Sequence, residues 1–235
     1  MNNLTYKNGL KDGIPIALGY FAVSIAFGVT ASSMGIPYYI SILISISNLT
    51  SAGQLAGIAV IAVLGSVFEI IVTQLVINAR YFLMSLTLSQ KLDGKFKLLD
   101  RFLCAFGITD EIFAVAVSKK EVSKSYMYGL ILLPVIGWTL GTAIGAIMGS
   151  VLPQIIVNAL SIALFAMFIA IVIPNAIENK KVIPVVLISA GLSCCFYFIE
   201  PLSAISSGIA YIICALISAI IGAVLFPIKE DDSDE

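Results

Sequence analysis

The 235-residue chain is 60% hydrophobic and only 11% charged, with 13 Lys and Arg against 14 Asp and Glu and no histidine. Its mean hydropathy is +1.06, and soluble domains carry roughly 25% charged residues, so this chain has too few charges to cover its apolar surface in water. The near-neutral balance says little about nucleic acid, but no basic stripe is long enough to track phosphates and no nucleic-acid partner is expected; the missing histidine removes the usual His-based zinc sites and Ser-His or Cys-His catalysis.

What remains is an all-α polytopic membrane protein with about seven or eight apolar segments. In chain order they are Ile14–Thr30, Tyr38–Ala62, Gly65–Ser89, Phe102–Ser118, Tyr126–Gly149, Gln154–Ile173, Val182–Ile199 and Ser203–Phe226. The first continues into further segments without an Ala-x-Ala exit, and so reads as a spanning helix and not as a cleaved signal. Gly35, Pro37, Pro153, Pro174, Pro184 and Pro201 fall at or near segment ends, where proline and glycine fit helix termini. Gly137, Gly141, Gly145 and Gly149 recur every four residues, a small-residue face that lets another backbone approach. Residues 1–226 are expected to form a single transmembrane transport domain, and residues 227–235 an acidic, disordered cytoplasmic tail. Cys104, Cys194, Cys195 and Cys214 form no CxxC pair and read as buried small hydrophobes. No metal and no cofactor is expected.

Two segments, 38–62 and 102–118, are candidates for broken or re-entrant helices. The first contains Asn48-Leu49-Thr50-Ser51-Ala52-Gly53-Gln54; the second is short and has Thr109, Asp110 and Glu111 in its middle. If all eight segments cross and the N-terminus is cytoplasmic, Lys91, Lys95, Lys97 and Arg101 lie outside, against the positive-inside rule. If both broken segments return to the side they entered from, these residues join Lys7, Lys11, Lys119, Lys120, Lys124, Lys180, Lys181 and Lys229 in the cytoplasm. Irregular backbone at that depth is tolerated only against protein or a water-lined cavity, so two such elements facing each other would make a central polar site.

The candidate substrate or proton pathway comprises Ser47, Asn48, Ser51, Gly53, Gln54, Glu69, Asn78, Arg80, Asp110 and Glu111. Hydroxyls, amides, a half-helix N-terminus and a carboxylate together supply what a small zwitterion needs, though the same hydroxyls and amides also glue helices. Glu69 and Arg80 are eleven residues apart, about 16 Å on one helix, too far to pair directly. Each therefore meets another segment or a cavity, or else Arg80 snorkels to the interface. Asp110 and Glu111 either carry protons or cap a helix N-terminus. Trp138 reads as an interfacial or packing residue.

Five ordered patches carry a resemblance over essentially the whole chain: Asp12-Gly13-Ile14-Pro15-Ile16-Ala17-Leu18-Gly19-Tyr20-Phe21, Ala26-Phe27-Gly28, Ser51-Ala52-Gly53-Gln54, Asn78-Ala79-Arg80-Tyr81, and Thr109-Asp110-Glu111-Ile112-Phe113. Together they resemble the azaleucine-resistance family of branched-chain amino-acid permeases, the large subunits of bacterial two-component exporters. Tyr81 departs from the histidine common there, which weakens any relay built on it. The resemblance implies export of branched-chain amino acids, and sometimes methionine, across the bacterial cytoplasmic membrane. It also implies a small multi-pass membrane subunit as partner. Proton coupling is a further expectation, and both termini are expected in the cytoplasm. The alternative is a channel or transporter for another small neutral solute. An enzyme is not expected, because no convergent nucleophile-base or metal set stands in the sequence.

Overall fold

The computed structural model describes residues 4–149, 152–153, 155–156, 158–159, 162, 169, 172–173, 176–177 and 179–226. Most of the expected segment at Gln154–Ile173 and the acidic tail fall outside the described residues. Ten helices are named below: α1 (Tyr6–Ser33), α2 (Tyr38–Ser47), α3 (Ala52–Ala62), α4 (Val67–Ser89), α5 (Leu98–Phe106), α6 (Asp110–Val117), α7 (Lys124–Met148), α8 (Val182–Phe198), α9 (Glu200–Ser203) and α10 (Ser207–Leu225). Four of these, α1, α4, α7 and residues 208–225 of α10, are long and apolar enough to cross a membrane. The chain divides into two compact units, one of residues 1–58 and 78–165, the other of residues 59–77 and 166–235.

The first unit is built on α1 and α7. Helix α1 starts eight residues before the expected apolar run, because Thr5 and Asn8 form a capping box that satisfies the first free N–H groups ahead of Ile14. The two helices meet backbone to backbone through glycine. A Cβ on Gly141 would collide with the Phe21 carbonyl and the Ser24 hydroxyl, and one on Gly145 with the Ile25 carbonyl; from the other side, one on Gly28 would collide with the Thr142 carbonyl. The glycine ridge is thus spent within the chain, as close packing in lipid requires. Contacts advance in step, Gly9 against Tyr126 and Gly28 against Ala146, so α1 and α7 run parallel.

Both segments expected to be irregular are broken. Helix α2 ends at Ser47, the backbone is extended at Asn48, and Ser51 takes a left-handed φ of 43° before α3 starts. Helix α5 ends at Gly107, and Thr109 caps a new helix by accepting the Ile112 N–H at 3.4 Å. With nine and eight residues, α5 and α6 rise only about 13 and 12 Å, less than half a hydrocarbon layer of about 30 Å. Both ends of this pair lie at the start of α7. On the entry side, Asp100 of α5 accepts a hydrogen bond from Tyr128, 2.5 Å away. On the exit side, Lys91 donates to the Val117 carbonyl, Val122 N–H donates to Lys91 O at 2.8 Å, and Asp93 N–H donates to Val122 O at 3.0 Å. Leu88, Phe96, Cys104, Ile112, Tyr126 and Met127 pack as one buried cluster at this end.

In the second unit, α8 and α10 pack together, with Gly222 lying against Val185. Cys104 and Cys214 are buried as expected, but Cys194 and Cys195 are exposed. Helix α8 is apolar on every side and buries none of its described residues, so apolar neighbours in sequence do not mark an inward face there.

Candidate functional site

The polar centre of the first unit gathers halfway along α1, at Tyr20, a residue that sequence reasoning placed only inside a longer patch. Its hydroxyl donates to Glu111 and lies 2.6 Å from the Thr109 hydroxyl, which ties α1 to the first turn of α6. The other face of Tyr20 packs with Leu49, in the α2–α3 break, and with Trp138 of α7, whose ring meets it edge-on at 5.4 Å. Both breaks therefore touch one aromatic side chain in the middle of an apolar bundle. Trp138 is 2% exposed and belongs to this packing, not to an interface; its indole nitrogen has no partner among the described residues.

Arg80 and Asp110 form an ion pair at 2.6 Å, with side chains 37% and 33% exposed. The guanidinium also donates to the Tyr81 hydroxyl at 3.1 Å and lies 4.8 Å above that ring. Tyr81 thus supports the arginine as a ring face and a hydroxyl. Asp110 and Glu111 are the first residues of α6, so the helix dipole favours both carboxylates. About 100° apart on the helix, they reach different partners, Asp110 meeting Arg80 and Glu111 meeting Tyr20.

The α2–α3 break is satisfied without charge. Ser51 N–H donates to Gln54 Oε1 at 3.2 Å, Gln54 Nε2 donates to Ser45 Oγ at 3.0 Å, and Ser45 and Thr142 share a hydroxyl hydrogen bond of 2.8 Å. Gln54, 1% exposed, thereby cross-links α3, α2 and α7. Thr50 donates to Asn48 Oδ1 at 2.8 Å, and Ser47 turns back to the Leu43 carbonyl at 2.8 Å on an exposed face. Gly53 is the second residue of α3, and Asn78 lies on α4 two residues before Arg80.

Glu69 is not part of this cluster; it lies in the second unit, 8% exposed, against Gly208 of α10. Sequence reasoning missed Tyr20, Thr142 and Ser45 as partners because the Tyr20–Thr109 and Ser45–Thr142 contacts span 89 and 97 residues. The one available signal was that Tyr20 falls inside the first of the patches that carry the family resemblance.

The fold and this centre define a polytopic helical membrane protein whose two interrupted helices bring hydroxyls, amides and a paired arginine and carboxylates into an apolar bundle. The family model described as AzlC protein matches residues 15–152. The chain belongs to that family. It is 31% identical over 172 residues to a membrane protein of Archaeoglobus fulgidus, covering 72% of this chain and 75% of the relative. It is 29% identical to inner membrane protein YgaZ of Escherichia coli, covering 59% of this chain and 58% of YgaZ. With the branched-chain amino acid transport protein AzlC of Bacillus subtilis it shares 28% identity, covering 75% of this chain and 70% of that protein. No solved structure matches the chain. Its family is one of membrane proteins tied to branched-chain amino-acid transport.

Proposed function

We propose that this chain exports branched-chain amino acids, and methionine as a lesser substrate, across the bacterial cytoplasmic membrane. It would do so as the large subunit of a two-component secondary transporter that also needs a small multi-pass membrane subunit, with residues 1–226 acting as one transport domain. The observation that carries this reading is the meeting of two broken helices at Tyr20, in a family with a member named for this transport. Glu111, Asp110 and Arg80, with the Asn48–Gln54 turn, line the pathway. A zwitterion's ammonium needs acceptors such as Glu111, and its carboxylate needs donors such as Arg80. The proton gradient drives export.

Threading follows by parity. Parallel α1 and α7 start at one end, and the α5–α6 pair enters and leaves at that same end. With α1 and α4 each crossing once, the α2–α3 segment also returns to its own side. Lys91, Lys95 and Lys97 then share the cytoplasmic side with Lys119, Lys120, Lys124 and the N-terminus, as the positive-inside rule favours; the C-terminus is cytoplasmic too.

Cysteines at Lys95 and Ser123 should both react with a thiol reagent confined to the cytoplasm and be spared by an impermeant external one. External labelling of position 95 with position 123 still inside would overturn the re-entrant threading. Transport is tested in liposomes holding this chain with and without the small subunit, by leucine counterflow against unlabelled valine, isoleucine and methionine. Saturable exchange that needs both subunits is expected; full export by this chain alone would refute the two-component part.

A further inference from the structure

Among the carboxyl groups on the long apolar helices and on the α5–α6 pair, Asp12, Asp110 and Glu111 all have partners: Tyr126 and Lys119 for Asp12, Arg80 for Asp110, Tyr20 for Glu111. Glu69 differs. Its Oε1 is fully covered and has no hydrogen-bond partner among the described residues, and neither does the hydroxyl of Thr73, one turn further along the same face of α4. Thr73 is 0% exposed. Both oxygens point at the first turn of α10, where a Cβ on Gly208 would lie 2.6 Å from Glu69 Oε1 and 3.0 Å from Thr73 Oγ1. The Ser206 hydroxyl, just before that turn, is a third covered oxygen without a partner among the described residues.

An ionised carboxylate buried without a donor or counter-charge is too costly for an apolar segment to keep unless something neutralises it in part of the working cycle. What arrives has to be small, because the atoms are in near contact already. A hard metal ion would ask for roughly six oxygen ligands, and three unpartnered ones stand in this region. A proton asks for no space, and the O–H it creates on Glu69 is a donor for Thr73 Oγ1, which has no partner among the described residues.

We propose that Glu69, with Thr73 as its hydrogen-bond acceptor and the first turn of α10 against it, is the proton-binding site of this transporter. The proton adds to Glu69 Oε1 from water on one side and leaves to water on the other, with no other bond made or broken. When the proton has gone, the dipole at the start of α10 stabilises the carboxylate. Two elements that lie against Glu69 among the described residues, the α3–α4 turn at Gly65 and the first turn of α10, carry no charged side chain; Tyr211 and Cys214 are the titratable groups further along α10. This inference rests on the proposed transport only for its flux test.

The binding test uses the full-length chain in liposomes and a membrane-permeant carbodiimide, which adds to protonated carboxyls. Mass spectrometry should find the adduct on Glu69, rising as the pH falls and unaffected by sodium. Thr73→Val keeps the shape while removing the acceptor, and should lower that label several-fold at a given pH. No adduct on Glu69 at any pH, or protection by sodium, overturns the proposal. In the flux test, the ratio of leucine flux with a pH gradient to flux without one should fall from about tenfold in the parent to about one in Glu69→Gln. An unchanged ratio in Glu69→Gln would also overturn it. A parent protein that moves no leucine would instead sink the transport reading, while the carbodiimide result still decides this one.

Discussion

The two helix breaks solve one physical problem with opposite chemistry. At Asn48–Ser51 the freed backbone is handled by neutral groups: Gln54 holds the Ser51 N–H and the Ser45 hydroxyl, and Ser45 reaches Thr142. At Gly107–Thr109 a hydroxyl cap is followed by two carboxylates, one bound to an arginine and one to a tyrosine. The neutral break also stores strain, since a serine with φ of 43° costs about 1–2 kcal/mol that a glycine would not. Neutral networks hold a shape, whereas charged groups at a helix terminus respond to a charged ligand. Under the proposed function both breaks line the pathway, the first expected mainly to hold its shape and the second to meet the charges of the substrate.

Both breaks hang on α1 and α7, so the largest effect should come from wedging those helices apart. Leucine at Gly141 would drive a side chain into the Phe21 carbonyl and Ser24. Backbone yields less readily than side chains, so the cost should exceed the ~1–3 kcal/mol of an overpacked core. Recovery of folded protein should fall more than about tenfold, with or without the small subunit. Normal recovery of Gly141→Leu would mean that neither break depends on this contact.

Next in size is the contrast between the breaks themselves. Asp110→Asn and Glu111→Gln should each cut leucine export about tenfold or more while membrane abundance changes little. Little abundance is at stake because the Arg80–Asp110 pair is more than a third exposed on the arginine side and worth at most about 1 kcal/mol to stability. Gln54→Leu should do the reverse. It takes one donor from the Ser45 hydroxyl, which keeps Thr142, and strands the Ser51 N–H, costing about 1–3 kcal/mol, so abundance falls and export per molecule holds. If export per molecule fell equally in all three, the two breaks would not differ in role.

Much of this was legible in the sequence because it is local. Polar and glycine residues inside an apolar run announce an interruption, and both interruptions fall where Asn48–Gln54 and Thr109–Glu111 placed them. The glycine repeat announced close packing, but only the structure identifies α1 as the neighbour, since spacing records a face and not what covers it. Arg80 at eleven residues from Glu69 had to find another segment, and it meets Asp110. Tyr20 was not legible as a hub: a tyrosine amid apolar residues is ordinary until a partner some ninety residues away, Thr109, is placed beside it. For Thr73 and Gly208, too, the meaning lies in contact between distant helices.

The smallest expected effect concerns the root of the charged break. Asp100, near the start of α5, accepts the Tyr128 hydroxyl at 2.5 Å and the Lys97 N–H at 2.8 Å, with Lys124 at 3.8 Å. The Tyr128 hydrogen bond, followed by the Lys97 N–H, holds its carboxyl below the ordinary value of 3.8. A carboxylate favoured by folding contributes stability above its unfolded value, and that contribution is lost as the pH falls through the folded value. Asp100→Asn should therefore melt slightly below the parent by a gap that stays constant from about pH 5 to 8 and closes only in stronger acid. A gap that widens toward neutral pH, or persists unchanged at about pH 2, would show that the charge on Asp100 does not hold α5 to α7. The α5–α6 pair would then be anchored by its buried apolar cluster alone, and the chemical difference between the two breaks would be confined to their tips.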